Sequence, residues 1–154
     1  MKKNLSIVIL LISLAISQSV FSQTYSFEKG KVPEGWKIDK GVLHISSEKY
    51  KSGSRSLQIK WKQNAVLTIP SPTGISEACR NRNGGMNAWN YNESPTKENL
   101  LFSFRDETGK EVCQLPFLLD FKGWRCIWAK FQGDMNMSSK SNIQSVEIQF
   151  PQHT

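Results

Sequence analysis

Histidine and cysteine are scarce in this chain of 154 residues, and no apolar run is long enough to cross a bilayer. Each shortage excludes a class of function. Of the two histidines, His44 lies between Leu43 and Ile45 in a strand-like pattern and His153 falls in the last residues. Neither sits in a recognisable acid/base constellation. Paired carboxylates, a Ser-His-Asp set and a glycine-rich phosphate loop are also missing. The three cysteines, Cys79, Cys113 and Cys126, cannot all pair within one chain, and none has CxxC or Cys/His spacing, which argues against zinc. Cys113 and Cys126 fall in neighbouring strand patterns, which leaves open a bridge or two buried free thiols; free thiols behaving as small hydrophobes are the expectation. Cys79 is expected in a polar loop.

The longest greasy stretch, Leu5 to Ile16, is shorter than the roughly 20 apolar residues a spanning helix needs. It follows Met1-Lys2-Lys3 and precedes Val20-Phe21-Ser22, the layout of a secretory signal cut after Ser22. An uncleaved anchor helix is the alternative, disfavoured by length, and no cysteine near the cut supports a lipoprotein anchor. Residues 1–22 are therefore expected to be a leader and 23–154 a secreted or periplasmic domain with no membrane span. That leaves one ordinary domain, large enough for one core and not two.

Twenty Lys and Arg face 13 Asp and Glu, a net charge of +7 that becomes +5 once the leader carrying Lys2 and Lys3 is removed. A basic face would favour an acidic polymer. The lysines form no run, so nucleic acid is not expected as a partner, and solubilising surface charge is the competing and favoured reading of the bare composition.

No helical period runs through the mature part. Short alternating segments punctuated by Gly, Pro, Asn and Ser recur instead. Strands are expected at Tyr25–Glu28, Trp36–Ile38, Val42–Ser46, Ser56–Trp61, Ala65–Ile69, Met86–Tyr91, Leu100–Arg105, Val112–Leu119, Trp124–Phe131 and Ile143–Phe150. Leu57, Ile59 and Trp61 share one face, and Asp106-Glu107-Thr108-Gly109 makes a hairpin turn. The passage Pro70–Gly85 reads as a functional loop or a crossover between sheets, and Met135–Asn142 as a polar loop. About ten such strands argue an all-β fold, a two-sheet sandwich of jelly-roll type. A jelly roll closes with a strand beside its first one, and none follows Phe150, so the domain is expected to lack its closing strand and to belong to a longer protein.

Two aromatic motifs stand out. Leu118-Leu119-Asp120-Phe121-Lys122-Gly123-Trp124-Arg125-Cys126-Ile127-Trp128 reads as strand, tight turn and strand, with Trp124 and Trp128 on one face. Trp89-Asn90-Tyr91-Asn92-Glu93 likewise puts Trp89 and Tyr91 on one face. Phe27-Glu28-Lys29-Gly30, Pro33-Glu34-Gly35-Trp36 and Lys51-Ser52-Gly53-Ser54-Arg55-Ser56-Leu57 recur together in galactose-binding-like sandwich modules.

With Tyr50–Lys62, Ala88–Pro95, Leu119–Arg125 and Ser145–Pro151, the sequence resembles the N-terminal β-domain of chondroitin sulfate ABC lyases (polysaccharide lyase family eight type). The resemblance covers most of the mature chain. It implies a galactose-binding-like jelly-roll sandwich ahead of a helical catalytic domain. The family abstracts the proton α to a uronate carboxyl and eliminates the 4-linked sugar, with a His and a Tyr as acid/base and an Arg and a Glu nearby. Those residues lie in the helical and later parts, and none of those positions exists in this sequence. The enzymatic status of the chain therefore stays open, and no residue in it is assigned a catalytic role.

The implied role is binding to a sulfated glycosaminoglycan such as chondroitin sulfate, with a downstream catalytic lyase domain as partner. Aromatic rings stack on sugar faces while Lys, Arg and Asn hold sulfates and carboxylates. The carbohydrate-binding candidates are Trp89, Tyr91, Trp124, Arg80, Arg82 and Arg125, with Trp61, Trp128 and Lys122 behind them. For each tryptophan the rival reading is core filling, and for the Arg80–Gly85 loop a flexible connection. The galactose-binding-like resemblance also implies a structural calcium held by Glu28 and the carbonyls of Lys51 and Gly53, against Glu28 as a solvated strand end. A stand-alone secreted sugar-binding or adhesin module is the alternative to a lyase module.

Overall fold

The structure, a computed structural model, describes residues 25–72 and 74–152. The leader expected at 1–22 and His153 lie outside the described residues. Among those described, the strands are β1 (Lys37–Ile38), β2 (Gly41–Ser46), β3 (Ser56–Trp61), β4 (Val66–Pro70), β5 (Gly85–Asn92), β6 (Asn99–Arg105), β7 (Glu111–Leu118), β8 (Gly123–Lys130) and β9 (Ser145–Gln149). Among the described residues a single helix, α1 (Ile75–Arg80), falls between β4 and β5. No described helix is long and apolar enough to cross a membrane.

The strands make an all-β sandwich. One layer is a five-stranded sheet in the order β1-β4-β9-β6-β7; the other consists of two antiparallel ribbons, β2-β3 and β5-β8. Alternation explains the layering. From the large sheet, Leu67 and Ile69 of β4, Val146 of β9, Leu100, Phe102 and Phe104 of β6 and Cys113 of β7 enter the core. The ribbons answer with Leu43, Ile59 and Trp61 from one and Met86, Ile127 and Ala129 from the other. Phe104 meets Phe131 edge-on at 5.2 Å, both rings being fully buried at the centre. β9 runs between β4 and β6, and β1 and β7 form the edges of the sheet. Pro116 sits in β7, where an edge position tolerates a residue that cannot donate.

Several expectations change in the structure. Tyr25–Glu28 forms no strand; Tyr25 and Phe27 instead pack edge-on against Trp36 at 4.8 and 6.2 Å, and a turn closes from Gly30 N–H to the Phe27 carbonyl at 2.9 Å. The Pro70–Gly85 passage is a crossover between layers and carries α1. There Ile75, Ala78 and Cys79 recur at helical spacing and turn toward the core. Gly84 lets the chain pass against α1, because a Cβ there would strike the Ala78 carbonyl. Cys79 is thus no loop residue: it is fully buried, and its carbonyl accepts from Gln132 Nε2 at 2.7 Å. The loop after β8 is polar in composition only, since Met135, Met137 and Ile143 fold under it as core. The three cysteines are free. Cys113 faces the core from β7, whereas Cys126 lies on the outer side of the β5-β8 ribbon, so the two point away from any common site.

Candidate functional site: the outer face of the β5-β8 ribbon

The register of β5 and β8 pairs Asn87 with Trp128, Trp89 with Cys126 and Tyr91 with Trp124. Because Ile127 and Ala129 point inward, the intervening residues of β8 point out, and their partners on β5 do the same. One face therefore carries Asn87, Trp89, Tyr91, Trp124, Cys126 and Trp128. Trp89 is 48% exposed and Trp128 61%, values that core packing does not explain. Tyr91 and Trp124 meet edge-on at 5.3 Å and are half-buried. The rows from Trp128 to Trp124 cover roughly 13 Å, four residues at about 3.3 Å each.

Three ammonium groups border these rings. Lys51 Nζ stands 4.3 Å from the centroid of Trp89, Lys49 Nζ 5.3 Å from Tyr91 and Lys130 Nζ 5.7 Å from Trp128. A hydrogen bond with Tyr91, then the charges of Tyr91 and Glu93, raise the Lys49 pKa above its ordinary value. Lys49 and Lys51 come from the loop joining β2 and β3, whereas Lys130 shares the outward parity of Trp128. Lys130 also donates to Asn83 Oδ1 at 3.3 Å, which brings the turn after α1 to this end of the face.

The two aromatic motifs form one unit. The Asn92 side-chain amide donates to the carbonyls of Leu119 and Phe121, each at 2.8 Å, and to that of Ser94 at 3.0 Å. Arg125 pairs with Asp120 at 2.6 Å across the turn and lies 4.3 Å over the buried Phe121 ring.

The candidate residues are thereby separated. Trp89, Tyr91 and Trp124 come together on the ribbon, with Trp128 beside them. Arg125 is engaged by Asp120 within the turn and is not on that row. Arg80 ends α1 and Arg82 follows in the adjoining turn, both exposed. Trp61 leaves the candidate set, because it stacks on Phe150 at 4.8 Å and packs against the core. Sequence reasoning missed Lys49, Lys130 and the joining role of Asn92. Lys130 was within reach through parity; the loop lysines depend on a fold-back that no periodicity encodes.

The carboxylate named for calcium is engaged by protein donors. Glu28 Oε1 accepts from the backbone N–H groups of Ser54 (3.0 Å) and Arg55 (3.1 Å), and Oε2 from the Ser54 hydroxyl (2.6 Å). The Arg55 guanidinium donates to the Glu28 carbonyl at 3.3 Å. These are donors gathered round a carboxylate, whereas a calcium ion draws on six to eight oxygens, of which Glu28 would supply at most two. Among the described residues no three acidic, His or Cys groups cluster around a metal position.

The sandwich thus carries an open aromatic face on one ribbon, bordered by ammonium groups. Comparison with known sequences gives the family. The chain matches the family model described as "Lyase, N terminal" over residues 21–154, and it belongs to that family. It is 27% identical over 135 residues to a chondroitin sulfate ABC exolyase of Bacteroides thetaiotaomicron, covering 82% of this chain and 13% of that protein. It is likewise 27% identical to the chondroitin sulfate ABC exolyase of Proteus vulgaris, over 88% of this chain and 14% of that protein. The endolyase of Proteus vulgaris is 26% identical over 125 residues. The chain thus spans about one-seventh of the length of the curated relatives it matches.

Proposed function

We propose that this domain is the noncatalytic carbohydrate-contacting module of an exported chondroitin-type lyase, periplasmic or extracellular, and that it holds sulfated glycosaminoglycan across the outer face of β5-β8. Bond cleavage belongs to a separate helical catalytic domain. One observation carries this reading: Trp89 and Trp128 lie open to solvent on one ribbon face with ammonium groups at their margins. Sugar C–H faces stack on indoles, and ammonium groups satisfy sulfate and carboxylate oxygens. A polyanion also displaces counterions, so its binding weakens with salt.

A second reading draws on the same exposed indoles. Contiguous apolar surface marks interaction sites generally, and the face could seat the catalytic domain instead of sugar. Calorimetric titration of the chain with chondroitin sulfate separates the two. The carbohydrate reading expects a saturable, salt-sensitive heat that an uncharged polysaccharide of similar length does not reproduce. Silence at millimolar ligand contradicts it and leaves the brace.

A further inference from the structure

We infer that Glu28 is a latch that holds Lys49 and Lys51 over the aromatic face, so that the anion affinity of the face depends on a carboxylate that does not touch the ligand. This rests on the reading of that face as a glycosaminoglycan surface.

The loop carrying the two lysines, residues 47–55, is exposed along its whole length, so apolar burial does not place it. Its placement comes from polar ties: the Glu48 N–H donates to Ser46 Oγ at 3.1 Å on the β2 limb, and the β3 limb is tied to Glu28. The Glu28 carboxylate takes the amides of Ser54 and Arg55 and the Ser54 hydroxyl, and Arg55 returns a guanidinium N–H to the Glu28 carbonyl. Gly53 is required at this point. Its φ is 70°, and a Cβ would run into the Glu28 carboxylate. The Ser56 hydroxyl then donates to the Lys49 carbonyl and closes the loop on itself.

Glu28 is in turn anchored. Phe27, its neighbour, packs edge-on against Trp36 together with Tyr25, and Trp36 packs on the core. A continuous set of contacts therefore runs from the core through Trp36 and Phe27 to Glu28, then through Ser54 and Arg55 to Lys51 and the Trp89 ring. Only two residues, Ser52 and Gly53, separate Lys51 from the tied Ser54, so freeing the tie frees the ammonium. The same carboxylate and loop that resemble a calcium site act here through hydrogen bonds alone.

The test uses Glu28→Ala, with Ser54→Ala as a milder cut that removes only the 2.6 Å bond. Two readouts are taken: the ring-current shift of the Lys51 side-chain methylenes over Trp89 by NMR, and the affinity for chondroitin sulfate. The latch predicts that Glu28→Ala abolishes the upfield shift and weakens binding about three- to tenfold, as expected for the loss of two ordered ammonium contacts at exposed sites. It also predicts that neither calcium chloride nor EDTA changes the wild-type shifts. Retention of the shift in both variants overturns the latch. Loss of the shift with unchanged affinity overturns its role in binding. Calcium-dependent shifts that vanish in Glu28→Ala overturn the metal-free mechanism. A wild-type chain that shows the ring-current shift but binds no chondroitin sulfate overturns the reading of the face, and the latch is then decided by the shifts.

Discussion

Asn92, at the end of β5, donates its side-chain amide to the Phe121 carbonyl at 2.8 Å, and this bond joins two segments 29 residues apart. The turn before β8 is thereby fixed to the end of β5, with the Leu119 carbonyl accepting beside it. The junction lies directly beside the aromatic face, because Tyr91 and Trp124 are the adjacent cross-strand pair. Asn92→Ala leaves those carbonyls without their donor and should cost about 1–3 kcal/mol. Urea unfolding followed by circular dichroism measures this; a midpoint unchanged from wild type would show that the junction is dispensable.

The five tryptophans should divide by role. Trp89→Ala and Trp128→Ala remove exposed rings, so stability should stay within about 0.5 kcal/mol while chondroitin sulfate affinity falls roughly tenfold. Trp124 is half-buried against Tyr91 on the outer face and not in the core, so its truncation should cost about 1–2 kcal/mol. Phe104→Ala opens the centre of the sandwich and should cost about 3–5 kcal/mol. Thermal and chemical denaturation rank the series, and a Trp89 variant as unstable as the Phe104 variant would refute the assignment.

Thiol chemistry reports the same geometry. Burial pushes the Cys79 thiol up to about 11, and burial aided by the nearby Cys79 pushes Cys113 up to about 12. Both should therefore resist alkylation in the folded protein at neutral pH, since the thiolate is the reactive form. Cys126, half-buried on the outer face of the β5-β8 ribbon, should label first. Mass spectrometry of the native protein should find one adduct, at Cys126, and that adduct should weaken sugar binding because Trp89 is its cross-strand neighbour. Prior labelling of Cys79 would contradict the burial.

Acid should loosen the lysine loop. The Ser54 hydroxyl, and then the backbone amides of Ser54 and Arg55, lower the Glu28 pKa below its ordinary value. A carboxylate with a depressed folded pKa contributes stability that is present above its unfolded value and lost as pH falls through the folded one. The group is solvent-exposed, so the effect is local. A pH titration of the Lys51 ring-current shift should lose the shift below the usual carboxylate range, and Glu28→Gln should flatten that curve. A shift that survives full protonation would exclude the carboxylate as its cause.

The sandwich was readable in the sequence because alternation reports burial directly. Ser56–Trp61 emerges as read, and the pairing of Trp89 with Tyr91 and of Trp124 with Trp128 follows from parity alone. Tyr25–Glu28 misled because aromatic alternation is also satisfied by two rings clamping Trp36, with Glu28 drawn away to the Ser54 turn. Helix α1 is short and sits among Pro, Gly and Ser, so loop composition masked three core-facing residues. Lys49 and Lys51 could not be placed by pattern, because the fold-back that carries them depends on a hydrogen bond 26 residues away in sequence.

The most direct test of the carbohydrate-contacting face is an NMR titration of the labelled chain with a chondroitin sulfate tetrasaccharide, following the indole N–H signals. Trp89 and Trp128 should move together and saturate, with Trp124 following and Trp36 and Trp61 still. Movement confined to Trp36 and Trp61, or to the Arg80–Arg82 turn with the ribbon signals unmoved, would contradict the account.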